Sequence, residues 1–366
     1  MGGERCDRRP RRLGAARVDF TSALYLGLGH ASAALPGWRR LTAGRPAALS
    51  PPAGEAVLAR RLAAHLGAGA AVVGRTALHL FHDLAALAAA RPVLADAGAY
   101  PIARWAFAAA RPRSFAHHDP AALEAALAAL ARPGAGAPPV VIADGVCPSC
   151  GTPAPLAAYL AAVRRAGGLL LLDDTQAVGV LGASPSPARP WGRGGGGTAL
   201  HLGLDPRRWP ELIVVASLAK AYGAPLAVAA GAGRPIGWLA GHGPNRTHSS
   251  PPTAADLAAA HRALDLEARC GEALRACLLA NVRRWRRRLA SLGLAPPGRA
   301  FPVQTLPVVP DLAPGELHLR LAAAGFETVL AVARCPPHPA VTLLLTAAHR
   351  REQIDRAATA LARALR

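Results

Sequence analysis

The 366 residues carry 42 Lys and Arg against 22 Asp and Glu, a formal net charge of +20, and 52% of them are hydrophobic. That length and apolar fraction suit a globular chain with one large and one smaller domain, and exclude a disordered one. The charge does not point to nucleic acid: aromatic residues make up only 4%, and no basic stretch is interleaved with the stacking rings that strand binders need.

Residues 1 to about 17 read as a charged, Pro-containing arm. They lack a signal-peptide core, and no run of about 18 uncharged apolar residues follows, so a cytoplasmic protein without a membrane segment is expected. Val57, Leu58, Leu62 and Leu66 fall at helical spacing over 54–67, closed by Gly67. A strand over Ala70–Val73 runs into Gly74-Arg75-Thr76, which opens a helical stretch from about 77 to 90. Free N–H groups and the helix dipole converge at such a turn, so it can hold an anion. The alternation repeats: strands at Val93–Ala95, Ser114–Ala116, Val140–Ala143 and Leu169–Leu172, and helices from about 101, at 120–131 and at 155–166. A mainly parallel, doubly wound α/β sheet is the expected fold.

Cys147-Pro148-Ser149-Cys150 is a lone CxxC. The other cysteines are scattered, so neither a disulfide framework nor a metal site is expected. Arg193-Gly194-Gly195-Gly196-Gly197 lacks the Lys-Ser/Thr and the preceding strand of a phosphate loop and reads as a flexible loop. The apolar run Leu212–Ala216 is a further strand. After Pro251-Pro252 the pattern changes to a long helix (254 to about 292). Arg283-Arg284-Trp285-Arg286-Arg287-Arg288 lies on it as a solvated face beside Leu278, Leu279, Val282 and Leu289. Short strands near 303–308 and 342–346 and helices at 314–323 and 350–364 complete an α+β domain. The expected division is 1–45, an N-terminal arm and segment; 46–240, the large domain; and 241–366, the small one.

Chemistry is concentrated in Ser217-Leu218-Ala219-Lys220-Ala221-Tyr222-Gly223. Of the 42 Lys and Arg, Lys220 is the one lysine, leaving 42 − 1 = 41 arginines. A guanidinium stays protonated; only the lysine amine can lose its proton and form an imine. Its place just past a strand end is where open α/β sheets bind ligands. Forty-seven residues earlier, Leu169–Leu172 ends in Asp173-Asp174. An imine-forming lysine, a carboxylate for a ring nitrogen, an anion site at 74–76 and a flat group over the ring are the requirements of pyridoxal phosphate.

With these residues in view, the chain resembles the fold-type I pyridoxal phosphate enzymes, and within them the α-oxoamine synthases. The segments that carry the resemblance are Tyr25-Leu26-Gly27-Leu28, Phe115-Ala116-His117-His118-Asp119, Asp173 to Gly182, Gly192-Arg193-Gly194, Ser217 to Gly223, Ser249-Ser250-Pro251-Pro252 and Leu345-Thr346-Ala347-Ala348-His349. The resemblance implies that Lys220 carries the cofactor as an imine, that Asp173 faces the ring nitrogen, and that Ser217, Arg75 and Thr76 hold the phosphate. It implies a homodimer with shared active sites, in which Thr247 or His248 of one subunit reaches the other's phosphate. The implied reaction is an acyl transfer: Lys220 removes the α-proton of an amino acid, and the carbanion attacks an acyl thioester, acyl-CoA or acyl carrier protein, with loss of CO₂.

Three positions depart from the family. Gln176 stands where a histidine lies near the ring hydroxyl, and can donate a hydrogen bond but not titrate. Tyr100 stands where a histidine stacks on the ring, and a phenol is a much weaker acid than imidazolium. Thr342 stands where an arginine clamps the substrate carboxylate; Arg334 and Arg45 are the arginines nearest by segment to replace it. These departures keep two alternatives open: another reaction on the same cofactor, of aminotransferase, decarboxylase or aldolase type, and a catalytically silent relative acting as a binding subunit.

Overall fold

The computed structural model describes residues 17–130, 137–335 and 337–366. The expected N-terminal arm, Arg17 apart, lies outside these residues. The chain forms two compact units. The larger comprises Gly29–Cys147 and Pro153–Ala268, the smaller Pro148–Thr152, Arg269–Arg366 and the N-terminal segment up to Leu28. Residues 29–45 and 241–268 therefore group with the larger unit. The change of unit at 268/269 falls inside one continuous helix, Ala254–Ala290, so no loop composition marks it.

Strand β1 (Val18–Asp19) belongs to the smaller unit. The larger one follows as α1 (Glu55–His65), β2 (Ala70–Gly74), α2 (Ala77–Leu87), β3 (Val93–Asp96), α3 (Pro101–Ala106), β4 (Arg113–Phe115), α4 (Pro120–Ala128) and β5 (Val140–Asp144). It continues with α5 (Leu156–Arg165), β6 (Leu169–Asp173), α6 (Thr198–His201), β7 (Leu212–Ser217), β8 (Ala227–Gly231), α7 (Gly233–His242), α8 (Pro244–His248) and the first part of α9 (Ala254–Ala290).

Its seven strands make one sheet in the order β2-β8-β7-β6-β5-β3-β4. The neighbours from β7 to β4 pair in parallel, whereas β8 runs antiparallel to both β7 and β2. The doubly wound sheet expected from the alternation of strands and helices is present. Successive side chains of a strand face opposite ways, and both faces are covered. Val140 and Ile142 pack with Leu80, Phe81 and Ile236, while Val141 and Ala143 pack with Leu123, Tyr159 and Val163. Strand β8 was not anticipated. Its sequence, Ala-Val-Ala-Ala-Gly, has Val228 as its one β-branched residue among the alanine and glycine that are depleted in strands, yet every residue in it is buried.

The smaller unit adds β9 (Val303–Thr305), α10 (Pro314–Ala323), β10 (Phe326–Glu327), β11 (Val329–Arg334), β12 (Pro337–Leu344) and α11 (Arg351–Ala364). Strands β11, β12 and β9 form an antiparallel sheet in that order, and β1 pairs in parallel with β10. Two segments singled out in the sequence meet here. Ala347 N–H donates to the Tyr25 carbonyl at 2.8 Å. His349 stacks on Phe20 with ring centroids 4.4 Å apart, and its Nε2 lies 2.8 Å from the Asp19 carbonyl. Burial holds the His349 imidazole below its ordinary pKa against these bonds, as suits a neutral ring serving as a latch. The arginine cluster on α9 is only partly a solvated face: Trp285 is buried, Arg284 pairs with Asp355, and Arg286 donates to the carbonyls of Gly298 and Arg299. Among the described residues no helix is long and apolar enough to cross a membrane.

Within the larger unit, Glu55 at the start of α1 is buried against Arg246 of α8, Nη1 to Oε1 2.8 Å, with side chains 6% and 11% exposed. Removing one member of a buried pair strands the other's charge. Arg246→Met is expected to lower the stability of the larger unit by about 3 kcal/mol or more, read from urea denaturation. Adding Glu55→Gln should restore part of that loss.

Candidate functional site

The parallel strands β3, β5, β6 and β7 point the same way, so their C-terminal ends share one sheet edge. Tyr100, Asp173, Gln176, Ser217 and Lys220 lie at or just past these strand ends. Lys220 follows β7 by three residues and is half-buried. Its Nζ lies 5.9 Å from the centroid of the Tyr100 ring, within the reach of a cation–π contact. The structure thus brings together two residues 120 positions apart in the chain.

Asp173 ends β6, is 5% exposed, and accepts the Thr175 N–H at 3.1 Å. Gln176 follows in the same turn, half-buried. The Thr175 hydroxyl accepts the Ser217 N–H at 3.0 Å, joining the end of β7 to the β6 turn, and the Ser217 hydroxyl accepts the Ala219 N–H at 3.3 Å. These bonds fix the short path from strand to lysine. Asp174 faces elsewhere. It is 1% exposed and accepts both the Thr198 N–H at 2.8 Å and the Thr198 hydroxyl at 2.5 Å. A Cβ on Gly145 would stand 2.0 Å from Asp174 Oδ1, and one on Gly197 (φ 96°) 2.1 Å from Oδ2. The two carboxylates therefore differ: Asp173 lies at the lysine's edge, and Asp174 is a clasp between loops. The Gly-rich run is not a loose loop; its backbone is bridged at Ala183–Arg193 and Val178–Gly196.

Arg75 and Thr76 are both exposed at the start of α2. Thr76 is its N-cap, its hydroxyl accepting the His79 N–H at 3.2 Å. The first-turn N–H groups beyond it have no intrahelical acceptor. Arg75 and His79 line a cleft with Asn245, Arg246 and Ser249, the residues that bracket Thr247 and His248 on α8, both of which are exposed. Asp83 holds α8 against α2 by accepting the Asn245 N–H at 2.8 Å. Arg45 lies exposed in an irregular stretch. In the smaller unit, the Thr342 hydroxyl is 3.1 Å from that of Thr305 on β9. Thr342 pairs with Val329 at one end of the β11–β12 ladder, whereas Arg334 pairs with Pro337 at the other. The Arg334 N–H is bound by the Ser149 hydroxyl at 2.8 Å.

Two groups at this edge escaped the sequence reading. Asp144, 5% exposed at the end of β5, accepts the Tyr100 N–H at 2.8 Å and stands in register with Asp173. Asp96, 1% exposed at the end of β3, accepts from His117 Nδ1 at 2.5 Å, from the Gly98 and His118 N–H groups, and from the Tyr159 hydroxyl. Burial works to raise its carboxyl, but the bonds from His117, His118 and Gly98 hold it below the usual range. The signal was available: both, like Asp173, close an apolar strand with a carboxylate.

The family model described as "Aminotransferase class I and II" matches residues 19–361. The chain belongs to that family. Among aminotransferase class I and II relatives, it is 32% identical to an 8-amino-7-oxononanoate synthase of Halorhodospira halophila over 266 residues, 71% of this chain and 61% of the relative. It is 33% identical to the synthase of that name from Methylococcus capsulatus over 263 residues, 70% of this chain and 62% of the relative. The matched stretches thus span about three fifths of the length of these relatives. Among solved structures, SPT with PLP internal aldimine shares the fold with a TM-score of 0.81, at 16% identity, covering 95% of this chain and 87% of that one.

Burial pushes the Asp174 carboxyl up to about 6 against the two Thr198 bonds, with the Asp173 charge adding to the rise. Because the folded value lies above the ordinary 3.8, the folded state holds the proton more tightly. That contribution to stability is complete below about pH 4 and is lost as pH rises through about 6. Asp174→Asn can keep both Thr198 contacts if the hydroxyl turns. Its stability relative to the parent is therefore expected to rise between pH 4 and 6 and to level above pH 7, measured by urea midpoints across that range.

Proposed function

We propose that the chain is a cytoplasmic, homodimeric pyridoxal phosphate enzyme that condenses an amino acid with an acyl thioester, with loss of CO₂. The observation that carries this reading is the lone lysine amine facing the Tyr100 ring at the edge where buried Asp173 ends its strand. The residues present fit the cofactor by their chemistry: an amine, a flat ring, a buried carboxylate, and a helix start beside Arg75. Lys220 would hold it through its amine, Asp173 would face its ring nitrogen, Tyr100 would lie on its face, and Gln176 would donate to its ring oxygen. Ser217, Arg75 and Thr76 would hold its phosphate, with Thr247 or His248 supplied by the second subunit. When bound, the cofactor supplies an electron sink for charge developing at the substrate's α-carbon.

The protein's own contributions follow from the site. The Lys220 Nζ would take the α-proton, being the chain's one lysine amine. A carboxylate at Asp173, already desolvated, stabilises positive charge on whatever nitrogen it faces. Gln176 offers a hydrogen bond that does not change with pH. The similarity to 8-amino-7-oxononanoate synthases favours an acyl thioester as the second substrate.

A second reading rests on Thr342. A hydroxyl shared with Thr305 replaces a guanidinium there, which favours either a carboxylate held by another arginine or an amine substrate. For the first case, Arg334→Ala or Arg45→Ala is expected to raise the Kd of the amino acid about tenfold or more while leaving cofactor binding unchanged, because a charge-assisted bond contributes about 1.5–3 kcal/mol. Parent-like binding in both variants would put the amine-substrate reading ahead.

The cofactor assignment has a direct test. Borohydride turns a reversible carbonyl–amine adduct into a stable secondary amine. After saturation with pyridoxal phosphate, reduction and peptide mapping, the label is expected on the peptide containing Lys220. An unlabelled Lys220 would sink the assignment.

A further inference from the structure

We infer that Asp144 is a positioning residue that mounts the Tyr100 ring over the Lys220 amine. Tyr100 is the N-cap residue of α3, with φ −63° and ψ 139°, and Pro101 follows at the first helical position. Its side chain makes no cap bond and is 43% exposed, and its backbone is held from both sides. The Tyr100 N–H is donated to Asp144 Oδ1 at 2.8 Å, across 44 residues of sequence. Pro101 fixes the backbone on the other side of Tyr100, since its ring sets its own φ and drives the preceding residue into the extended region. A peptide N–H held by one strand end, followed by a proline, restricts the direction of the Tyr100 Cα–Cβ bond and so the rotamers open to the ring, which lies 5.9 Å from Lys220 Nζ.

Asp144 is suited to this task. It is 5% exposed at the end of β5, a strand paired on both sides, with β3 and with β6, and stands in register with Asp173. The mount is therefore set by the sheet rather than by the loop, and Tyr100 keeps its distance from the lysine as the strand ends keep theirs. A charge-assisted N–H···O⁻ bond is also among the stronger ones a carboxylate can make. Asp144 acts through Tyr100; it is not assigned contact with substrate or cofactor.

Lys220 being the only lysine makes the inference testable in the full chain without cofactor. A chain labelled at the lysine ε-methylene gives one resonance, shifted by the current of any ring held over it. Tyr100→Ala is expected to move that resonance, setting the size of the effect. Asp144→Ala and Asp144→Leu should reproduce most of the shift and add little to it in combination with Tyr100→Ala; Asp144→Asn, which keeps an acceptor oxygen, should restore the parent position. A parent-like resonance in a folded Asp144→Ala or Asp144→Leu chain would overturn the mount, as would full additivity with Tyr100→Ala. Should neither variant fold, the parent chain still decides it. Among its four tyrosine amides, the one lost in Tyr100→Phe is expected to be protected from hydrogen exchange, and a freely exchanging amide rejects the inference. Only the last measurement rests on the proposed cofactor: in the chain saturated with pyridoxal phosphate, Asp144→Ala should shift the pH midpoint of the cofactor's absorbance in the same direction as Tyr100→Ala, and an unmoved midpoint, or an opposite shift, counts against the mount. Failure of the parent chain to take up cofactor at all rejects the functional reading and leaves the lysine resonance as the test of Asp144.

Discussion

Three neighbouring parallel strands of the main sheet each end in a buried aspartate, and each of those carboxylates accepts a backbone N–H from a loop at the sheet's edge. Asp96 binds the turn after β3 and the segment after β4, Asp144 binds the residue that starts α3, and Asp173 binds its own turn. A carboxylate removed from water is tolerable only when bonds replace its hydration, so each fixes its loop as a condition of being buried there. The arrangement of the lysine edge depends on this. Loops are ordinarily the variable part of an α/β protein; here they are tied to the sheet at its strand ends, where ligands of such sheets bind.

The arginine-rich composition has a structural counterpart. Arg286 gathers loop carbonyls, Arg320 reaches the Ala364 carbonyl at the end of α11, and Arg164 joins the Glu211 carboxylate while covering the Trp209 ring at 3.9 Å. These duties use several donors at fixed angles and a flat cation, which lysine cannot supply. Imine chemistry is the duty that arginine cannot perform, and in the proposed enzyme it falls to Lys220. The net charge of +20 is thus accounted for in part by internal bonding.

Much of this was legible in the sequence because burial on both faces forces near-continuous apolar strands. Val140–Ala143, Leu169–Leu172 and Leu212–Ala216 announce themselves, and so does the carboxylate that closes β6. What stayed hidden was hidden for physical reasons. Strand β8 is, apart from Val228, built of alanine and glycine, whose preference for strands is poor, and is held by β2 and β7 on either side. Strand β11 carries exposed Leu330 and Val332 and among the described residues pairs only with β12, so alternation gave no clear inward face. Asp144 closes an apolar strand as Asp173 does, but its bond to the Tyr100 main-chain N–H, 44 residues away, is one that side-chain patterns do not encode. Asp174 could be separated from Asp173 only once Thr198, Gly145 and Gly197 were seen around it.

The latch of His349 on Phe20 and the pairing of β1 with β10 bear on how the molecule is made. The smaller unit takes its pieces from the beginning, the middle and the end of the chain, so residues 18–19 have no strand to pair with until residue 326 has been synthesised. The larger unit's sequence is complete by residue 268 and can condense first, as units generally do during synthesis. Phe20, buried in the finished protein, must meanwhile wait as unsatisfied apolar surface through some three hundred residues of translation. Residues 18–20 therefore find their partners only late in synthesis, and a chain cut short before residue 326 holds every strand of the main sheet while Val18, Asp19 and Phe20 still lack theirs.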